Sequence, residues 1–233
     1  MPHKFRLSFE ELKANLNQMS SLVSYQVLQA VNSLTLDSRS IYKEIKLRDD
    51  VIDAYDELLQ IQCENIFALH QPIAYDLRFV ISALMINNQL ERCGDISVSI
   101  ANRARKLSSH KNLILESGIV DMAQESHKMI SQTIDAFLHS NTELANNVIV
   151  NDDKVDEQNF CVFNYTTKRM SIENELVEPL AHILILARQI ERLADHAANI
   201  AKQVLFLVEA HAGSNVQVLS EKLNTTQPTN MRL

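Results

Sequence analysis

The stretch Glu91-Arg92-Cys93-Gly94-Asp95 (ERCGD, 91–95) returns one hundred positions later as ERLAD at 191–195. A second motif, DDVID at 49–53, returns as DDKVD at 152–156, an offset of 103. Two motifs that recur in the same order indicate that one structural unit has been duplicated. The difference between the two offsets predicts that the connection between the motif-bearing helices is three residues shorter in the second half.

The composition favours an all-α fold. Among 233 residues there are only 3 Gly and 4 Pro, which is too little turn material for the many hairpins of a β-sandwich or barrel. The hydrophobic fraction of 46% and the charged fraction of 22% are typical of a globular protein with a real core. We therefore expect two tandem three-helix bundles related by internal duplication, with six long helices and no sheet.

Charge and cysteine usage restrict the partners and the compartment. The formal net charge of -7 argues against nucleic acid as a partner, because phosphate contacts need clustered Lys and Arg. Cys63, Cys93 and Cys161 are widely spaced in helix-like sequence, so they are interpreted as small core residues in a reducing compartment. With no secretory pattern and no apolar stretch of spanning length, the expected localisation is cytoplasmic.

Helix start signals divide the first half into three segments. Ser8 and Glu11 form a capping box that predicts the start of a first helix, ending near residue 34. Asp37 is the predicted N-cap of a second helix that continues to about residue 70, and Pro72 marks the start of a third that ends near residue 107. The apolar stripe of this third helix is predicted to include Leu77, Leu84 and Leu90.

The second half follows a polar, weakly periodic stretch at 108–118, which is the best internal boundary. Ser140 and Glu143 repeat the capping-box signal ahead of the fifth helix, and Pro179 lies near the start of the sixth, which ends at about residue 211. The predicted domains are a first repeat at 1–108, a second repeat at 109–212 and a flexible C-terminal tail at 213–233.

The repeated motifs predict two clusters of carboxylates. Residues four apart lie on one face of a helix, so the two acidic residues of each motif project together. In an antiparallel hairpin that turns near residue 70, position 49 is level with position 91, and in the second half positions 152 and 191 are level in the same way. The first cluster contains Asp49, Asp53, Glu91 and Asp95, and the second contains Asp152, Asp156, Glu191 and Asp195.

Facing carboxylates repel each other unless a cation or a basic side chain lies between them. Oxygen ligands favour hard or borderline ions such as Mg²⁺, Mn²⁺, Ca²⁺ or iron, and His196 could add a nitrogen to the second site. The plainer interpretation is a solvated acidic surface balanced by Arg92 and Arg192. Metal binding is favoured because the facing arrangement occurs twice.

Enzymatic activity is disfavoured. A ferritin-like di-iron oxidase would need Glu-x-x-His motifs, but the third residue after Glu91 is Gly94 and that after Glu191 is Ala194. The sequence shows neither a Ser-His-Asp or Cys-His arrangement nor a glycine-rich phosphate loop.

The run QPIAYDLR at 71–78 resembles the Gln-Pro-x-Ala-x-Asp-Leu-Arg signature of the PhoU family, and the two Glu-Arg-x-x-Asp motifs look like its paired acidic motifs. The resemblance implies two three-helix bundles related by a pseudo-twofold axis, with multinuclear metal clusters on the acidic faces. It also implies an accessory of the phosphate-specific ABC transporter that relays transporter state to a membrane sensor histidine kinase and represses phosphate uptake and the Pho regulon. The implied ligands are the eight carboxylates, with Asp50 and Asp153 as possible additions.

Several expectations accompany this interpretation. The metal is expected to be iron, Mn, Mg or Zn, the protein a homodimer, and any membrane association peripheral and through partners. The partner-binding surface is predicted at the start of the third helix, where Gln71, Asp76 and Arg78 lie and where Ile73 and Leu77 are expected to pack inward. The alternative function is a helical metal-binding protein of another homeostasis pathway.

Overall fold

The computed structural model describes residues 3–209, which are almost entirely helical and contain no strand. Six long helices and one short one, α4, follow each other along the chain. Their bounds are α1 His3–Asn32, α2 Ser38–His70, α3 Ala74–Lys106, α4 Lys111–Glu116, α5 Ile119–His139, α6 Thr142–Met170 and α7 Val177–Glu209, with a short 3-10 helix at Asn174–Leu176. The all-α prediction is confirmed, and the predicted tail at 213–233 lies outside the described residues.

The long helices form two bundles of three. Helices α1, α2 and α3 pack against one another, as do α5, α6 and α7, and the two bundles meet where α3 packs on α7 and α1 packs on α5. The core repeats with the sequence, because Ile45, Ile52 and Leu59 of α2 are buried as are their counterparts 103 positions later, all of them valine. The division at residue 108 stays a prediction.

The first helix starts earlier than its capping box predicts. Ser8 lies inside α1, where its hydroxyl donates a hydrogen bond to the carbonyl of Lys4 at 3.3 Å, so Ser8 is not an N-cap. Helix already extends over the preceding turn, and a Ser within a helix bonds back to its own backbone. The prediction for Asp37 is confirmed, since its side chain accepts a hydrogen bond from the backbone N–H of Arg39.

The second predicted capping box is displaced by one residue. Ser140 ends α5 in a left-handed conformation, with φ of 53°, and the N-cap of α6 is Asn141. The Asn141 side chain accepts from the N–H of Leu144 at 3.0 Å. Two helices share this tight junction, so the first residue must close α5 and only the second can cap α6.

The apolar stripe of α3 differs from the prediction. Leu77 and Leu84 are 36% and 38% exposed, and only Leu90 is buried. Six residues separate Leu84 from Leu90, which corresponds to a rotation of about 600° around the helix axis. Leu84 and Leu90 therefore project from different faces of α3. The buried stripe instead comprises Phe79, Val80, Ala83, Ile86, Leu90 and Cys93.

Two further details bear on the predictions. Cys63 and Cys93 are buried as expected, whereas Cys161 is exposed on α6. The polar stretch at 108–118 is not a plain loop, because it holds α4, which buries Leu113 and Ile114.

Between residues 3 and 209, none of the helices carries an apolar segment of the length that crossing a membrane requires.

Candidate functional site

The first carboxylate cluster lies where α2 crosses α3 at close range. Gly94 makes the close approach possible: a Cβ atom at this position would lie 3.2 Å from the Asp49 Oδ1 atom and 3.3 Å from the Ile52 Cγ2 atom. Asp53 and Asp95 are near enough to repel each other, and so are Glu91 and Asp53. The structure therefore brings together all four carboxylates predicted for this cluster.

The register of the hairpin differs from the prediction by about one helical turn. Asp49 opposes Gly94 and Asp95 rather than Glu91, and the midpoint of 49 and 95 is 72 instead of the predicted 70. The physical reason is the connection: α2 continues to His70, and three further residues precede α3, so the turn is centred later in the chain.

The second cluster repeats this arrangement between α6 and α7. Among the charges that act on Asp152, Asp195 contributes most, and Glu191 contributes most to Asp156. Asp152 thus faces Asp195 as Asp49 faces Asp95, whereas the strongest charge on Asp156 is that of Glu191 and the strongest on Asp53 is that of Asp95. Asp50 and Asp153, the possible additional ligands, also repel the first aspartate of their own cluster.

Burial and mutual repulsion raise the pKa of several of these groups. The pKa of Asp49 is raised to about 6, chiefly by burial and then by Asp53, Asp95 and Asp50, although a hydrogen bond from Gln26 lowers it. The pKa of Asp152 is likewise raised to about 6, by burial first and then by its acidic neighbours, with Lys202 acting in the opposite direction.

The pKa values of Asp53, Asp156 and Glu91 are raised in the same direction, each by burial first and by neighbouring carboxylates second. Carboxylates in both clusters are therefore held in a less favourable environment than water, which a bound cation would improve.

Basic side chains offset the negative charge only in part. In the first cluster, the guanidinium of Arg92 lies 3.4 Å from the carboxylate of Glu91 and 3.8 Å from that of Asp95. The side chains of Arg92 and Asp95 are exposed, and that of Glu91 is half-buried. In the second cluster, the guanidinium of Arg188, and not that of Arg192, pairs with Glu191. Exposed ion pairs of this kind contribute at most about 1 kcal/mol, so they do not remove the repulsion.

The side chains as placed do not enclose a cation. Within residues 3–209 no group of three or more His, Cys, Asp or Glu side chains converges closely enough to hold a metal ion. The donor chemistry nevertheless suits a hard cation, since each cluster offers carboxylate oxygens from two facing helices.

His196 contacts a side chain of the other bundle. Its Nδ1 atom lies 2.8 Å from the Oε1 atom of Gln89 on α3, so the ring joins α7 to the first bundle. Burial lowers the pKa of His196, and the nearby charge of Arg192 lowers it further. Its predicted contribution to the second metal site stays a prediction.

Sequence reasoning missed the buried amide of Gln26 on α1. This fully buried side chain donates Nε2 to the Oδ1 atom of Asp49 at 2.9 Å and to the carbonyl of Gly94 at 3.4 Å. A signal was available, because Gln26 interrupts the apolar stripe of α1 and Gln132 stands within the matching run of α5. In the second cluster Asn159 donates to Glu191 at 2.7 Å, and no pattern along the chain predicts this contact.

We expect Gly94→Val to destabilise the first bundle by about 1–2 kcal/mol, because overpacking costs about 1–3 kcal/mol and replacing a helical glycine regains about 0.5 kcal/mol. Gly94→Ala should be close to neutral, since its single methyl requires only a small shift of Asp49 and Ile52. Urea unfolding of both variants measures the difference. A valine variant as stable as the wild type would show that the helices do not approach so closely in solution.

The model of the PhoU domain matches two segments of the sequence, residues 16–104 and residues 119–204. The chain belongs to the PhoU family. Each match falls within one three-helix bundle and contains one carboxylate cluster, so the duplication seen in the sequence corresponds to two copies of the family domain. Its curated relatives are named as accessory proteins of the phosphate-specific transport system.

Similarity to individual members extends over most of the chain. The phosphate-specific transport system accessory protein PhoU homolog of Pseudomonas aeruginosa is 30% identical over 208 residues, which are 88% of this chain and 85% of that protein. The homolog from Clostridium acetobutylicum is 28% identical over 205 residues, 88% of this chain and 94% of that protein.

Solved structures show the same fold. The crystal structure of PhoU from Pseudomonas aeruginosa superposes with a TM-score of 0.81 at 29% identity, covering 88% of this chain and 99% of that one. The phosphate transport system regulatory protein PhoU from Streptococcus pneumoniae gives a TM-score of 0.79 at 25% identity, covering 87% and 96%. The predicted family and the predicted bundle architecture are confirmed.

Proposed function

We propose that this protein represses phosphate uptake and the Pho regulon by binding the phosphate-specific ABC transporter and a sensor histidine kinase. The observation that carries the proposal is the match of the PhoU domain to both bundles, together with relatives that are named accessory proteins of the phosphate-specific transport system. This match favours phosphate homeostasis over the alternative of a metal-binding protein in another pathway.

The tip of the α2–α3 hairpin is the proposed contact surface. The prediction that Ile73 and Leu77 pack inward is wrong, because Ile73 is 76% exposed and Leu77 is 36% exposed. Leu69, at the end of α2, is 72% exposed and lies at the same tip. The backbone of the tip is held in an uncommon conformation, with positive φ at Gln71 and at Ala74. Exposed apolar side chains on a strained, fixed turn are typical of binding surfaces.

The charged residues of the predicted surface adjoin this tip. Gln71 is exposed, whereas Asp76 and Arg78 are half-buried in the first turns of α3. Asp76 lies in the first turn of α3, where its negative charge is favoured by the positive end of the helix dipole. No contact with another protein is needed to explain this charge. The apolar tip therefore supports a partner contact more strongly than the charged residues do.

Ile73→Asp should leave thermal stability nearly unchanged and derepress phosphate-starvation genes in phosphate-rich medium, because it puts a charge into the proposed interface. Leu47→Asp is the matched control, since Leu47 is 71% exposed on α2 but lies far from the tip. Arg78→Glu tests the charged part in the same reporter assay. Normal repression by both the folded Ile73→Asp variant and the folded Arg78→Glu variant would remove the hairpin tip from the mechanism.

Deletion of the gene tests the function itself. Transcription of phosphate-starvation genes should rise in phosphate-rich medium and return to normal on complementation. Unchanged transcription in the deletion strain would refute the regulatory role and leave the alternative pathway. The homodimer and the cytoplasmic location remain proposals that a mass measurement in solution and cell fractionation can check.

We further propose that the two carboxylate clusters bind metal ions, with iron, Mn, Mg or Zn as the candidate elements. Asp49, Asp53, Glu91 and Asp95 would hold the ion between α2 and α3, and the equivalent four residues would do so between α6 and α7. A bound cation would supply positive charge that neutralises the facing carboxylates. The duplicated placement of the clusters at both helix crossings supports this proposal.

A further inference from the structure

An open surface cavity of about 520 Å³ lies where α2 begins and α3 ends, on the first bundle, and its basic side chains are exposed. Four of the five residues that line it are basic, in a protein with a formal net charge of -7. The lining residues are Arg39, Tyr42, Lys43, Arg105 and Lys106, and we call this set the basic cavity. None of them belongs to the carboxylate clusters or to the α2–α3 hairpin tip.

The cations of the basic cavity are not paired with carboxylates. Across residues 3–209, none of the four has an Asp or Glu oxygen within 4 Å of its nitrogen atoms. Arg105 instead stacks over the ring of Tyr42, with its Cζ atom 4.6 Å from the ring centroid, and donates to the Asn102 side chain at 2.9 Å. These two contacts hold one guanidinium in place at the cavity.

The positive charge extends beyond the cavity wall. The pKa of His182 on α7 is lowered by burial and, next, by the charges of Arg103 and Lys106. The guanidinium of Arg103 lies 2.7 Å from the ring nitrogen of His182, which connects this region to the second bundle.

Helix energetics do not account for these charges. Arg39 and Lys43 occupy the first two turns of α2, where the helix dipole disfavours cations. By contrast, α3, α5, α6 and α7 each carry an acidic residue in the first turn. The basic residues at the start of α2 are thus placed against the local electrostatic preference.

The duplication provides an internal comparison. At the offsets that superimpose the acidic motifs, the positions of the basic cavity correspond in the second repeat to Thr142, Ala145, Asn146, Leu205 and Phe206. The same fold therefore forms without a single one of these charges. The basic residues are a property of the first repeat alone and not a requirement of the bundle.

We propose that the basic cavity binds a soluble organic anion with two or more phosphate groups, of the size of a nucleoside diphosphate. Arginine recognises phosphate through paired hydrogen bonds and lysine binds it as a point charge. The volume is in the range of small-molecule sites and exceeds what one orthophosphate would fill. A ligand with two or more anionic groups can engage cations of α2 and cations of α3 at the same time.

The test is fluorescence anisotropy of N-methylanthraniloyl-ADP with the full chain at about 0.15 M salt. Excess Mg²⁺ is present so that the probe does not chelate metal ions bound to the protein, which would change the measured anisotropy. Unlabelled ADP and pyrophosphate are expected to displace the probe, and orthophosphate much less. Arg39→Gln with Lys43→Gln should weaken binding about tenfold or more, because charge-assisted hydrogen bonds to phosphate are lost.

Lys46→Gln with Lys168→Gln is the matched control, since it removes the same charge from exposed positions outside the cavity and should change binding by less than about twofold. Arg105→Gln gives a second cavity variant if the first pair proves unstable in thermal melting. Absence of saturable binding, equal weakening by the control pair, or binding only to phosphatidylglycerol vesicles in cosedimentation would each overturn the proposal.

Discussion

Replacing Glu191 and Asp195 by alanine is expected to abolish metal binding at the second carboxylate cluster and so to reduce the total metal content about twofold. The double substitution removes both carboxylates that α7 contributes, which leaves only the aspartates of α6. Two carboxylates on one helix cannot surround an ion from both sides, as the facing carboxylates of α6 and α7 would. The measurement is the molar ratio of iron, manganese, magnesium and zinc to protein chain by elemental mass spectrometry.

Glu64→Ala with Asp135→Ala is the matched control for this experiment. It removes one Glu and one Asp from exposed positions outside both clusters, so the change in net charge is the same. We expect its metal content to equal that of the wild type. If the cluster variant and the control carry the same amount of metal as the wild type, these carboxylates are not ligands.

The metal-free protein should gain stability when Asp49 and Asp152 are both changed to Asn. Each of these carboxyl groups has a pKa of about 6 in the folded protein, above the ordinary value of 3.8. The unfolded chain ionises them at lower pH than the folded chain does, so both groups oppose folding above the ordinary value of 3.8, and the full penalty is present above about pH 6. Allowing for screening by solvent, we expect a gain of about 1 kcal/mol for each substitution at about pH 7.5.

This gain should shrink as the pH falls, because protonation relieves the same penalty in the wild type. As the pH falls from about 6 towards the ordinary value of 3.8, Asp49 and Asp152 are protonated in the folded wild type but still ionised in the unfolded chain, so the stability of the wild type approaches that of the variant. Denaturant unfolding of chelator-treated protein gives the difference in the free energy of unfolding at each pH.

The comparison is made between variants because histidines act in the opposite direction. The pKa values of His127, His182 and His196 are lowered in the folded protein. As the pH falls below the ordinary histidine pKa of 6.5, these side chains gain protons more readily in the unfolded chain, so the folded state loses stability. Their effect is common to both proteins and cancels. The exposed pair Glu64→Gln with Asp135→Asn should show a difference that does not vary with pH, and the same flat result for the cluster variant would contradict the prediction.

Several helix boundaries show how far local signals can be used. The side chain of Asp37 caps α2 as predicted, because the residues before it form a turn and leave the first N–H groups of the helix without backbone partners. Ser8 carries the same kind of signal and fails, because α1 already extends through it. A capping pattern reports the preference of a residue and not whether the preceding turn is helical.

The sequence by itself determined the fold class, the duplication and the membership of all eight carboxylates in two clusters. Spacing of four places two acidic side chains on one helix face whatever surrounds it, and recurrence in the same order implies equivalent positions in two repeats.

Only the tertiary structure decided which carboxylates oppose each other, because the register depends on the length and conformation of the α2–α3 connection. It alone placed the Gln26 amide against Asp49 and brought the cations of Arg39 and Arg105 to one cavity. These residues are 23 and 66 positions apart, and contacts over such separations follow from how whole helices pack. Periodicity along one helix contains no information on that packing.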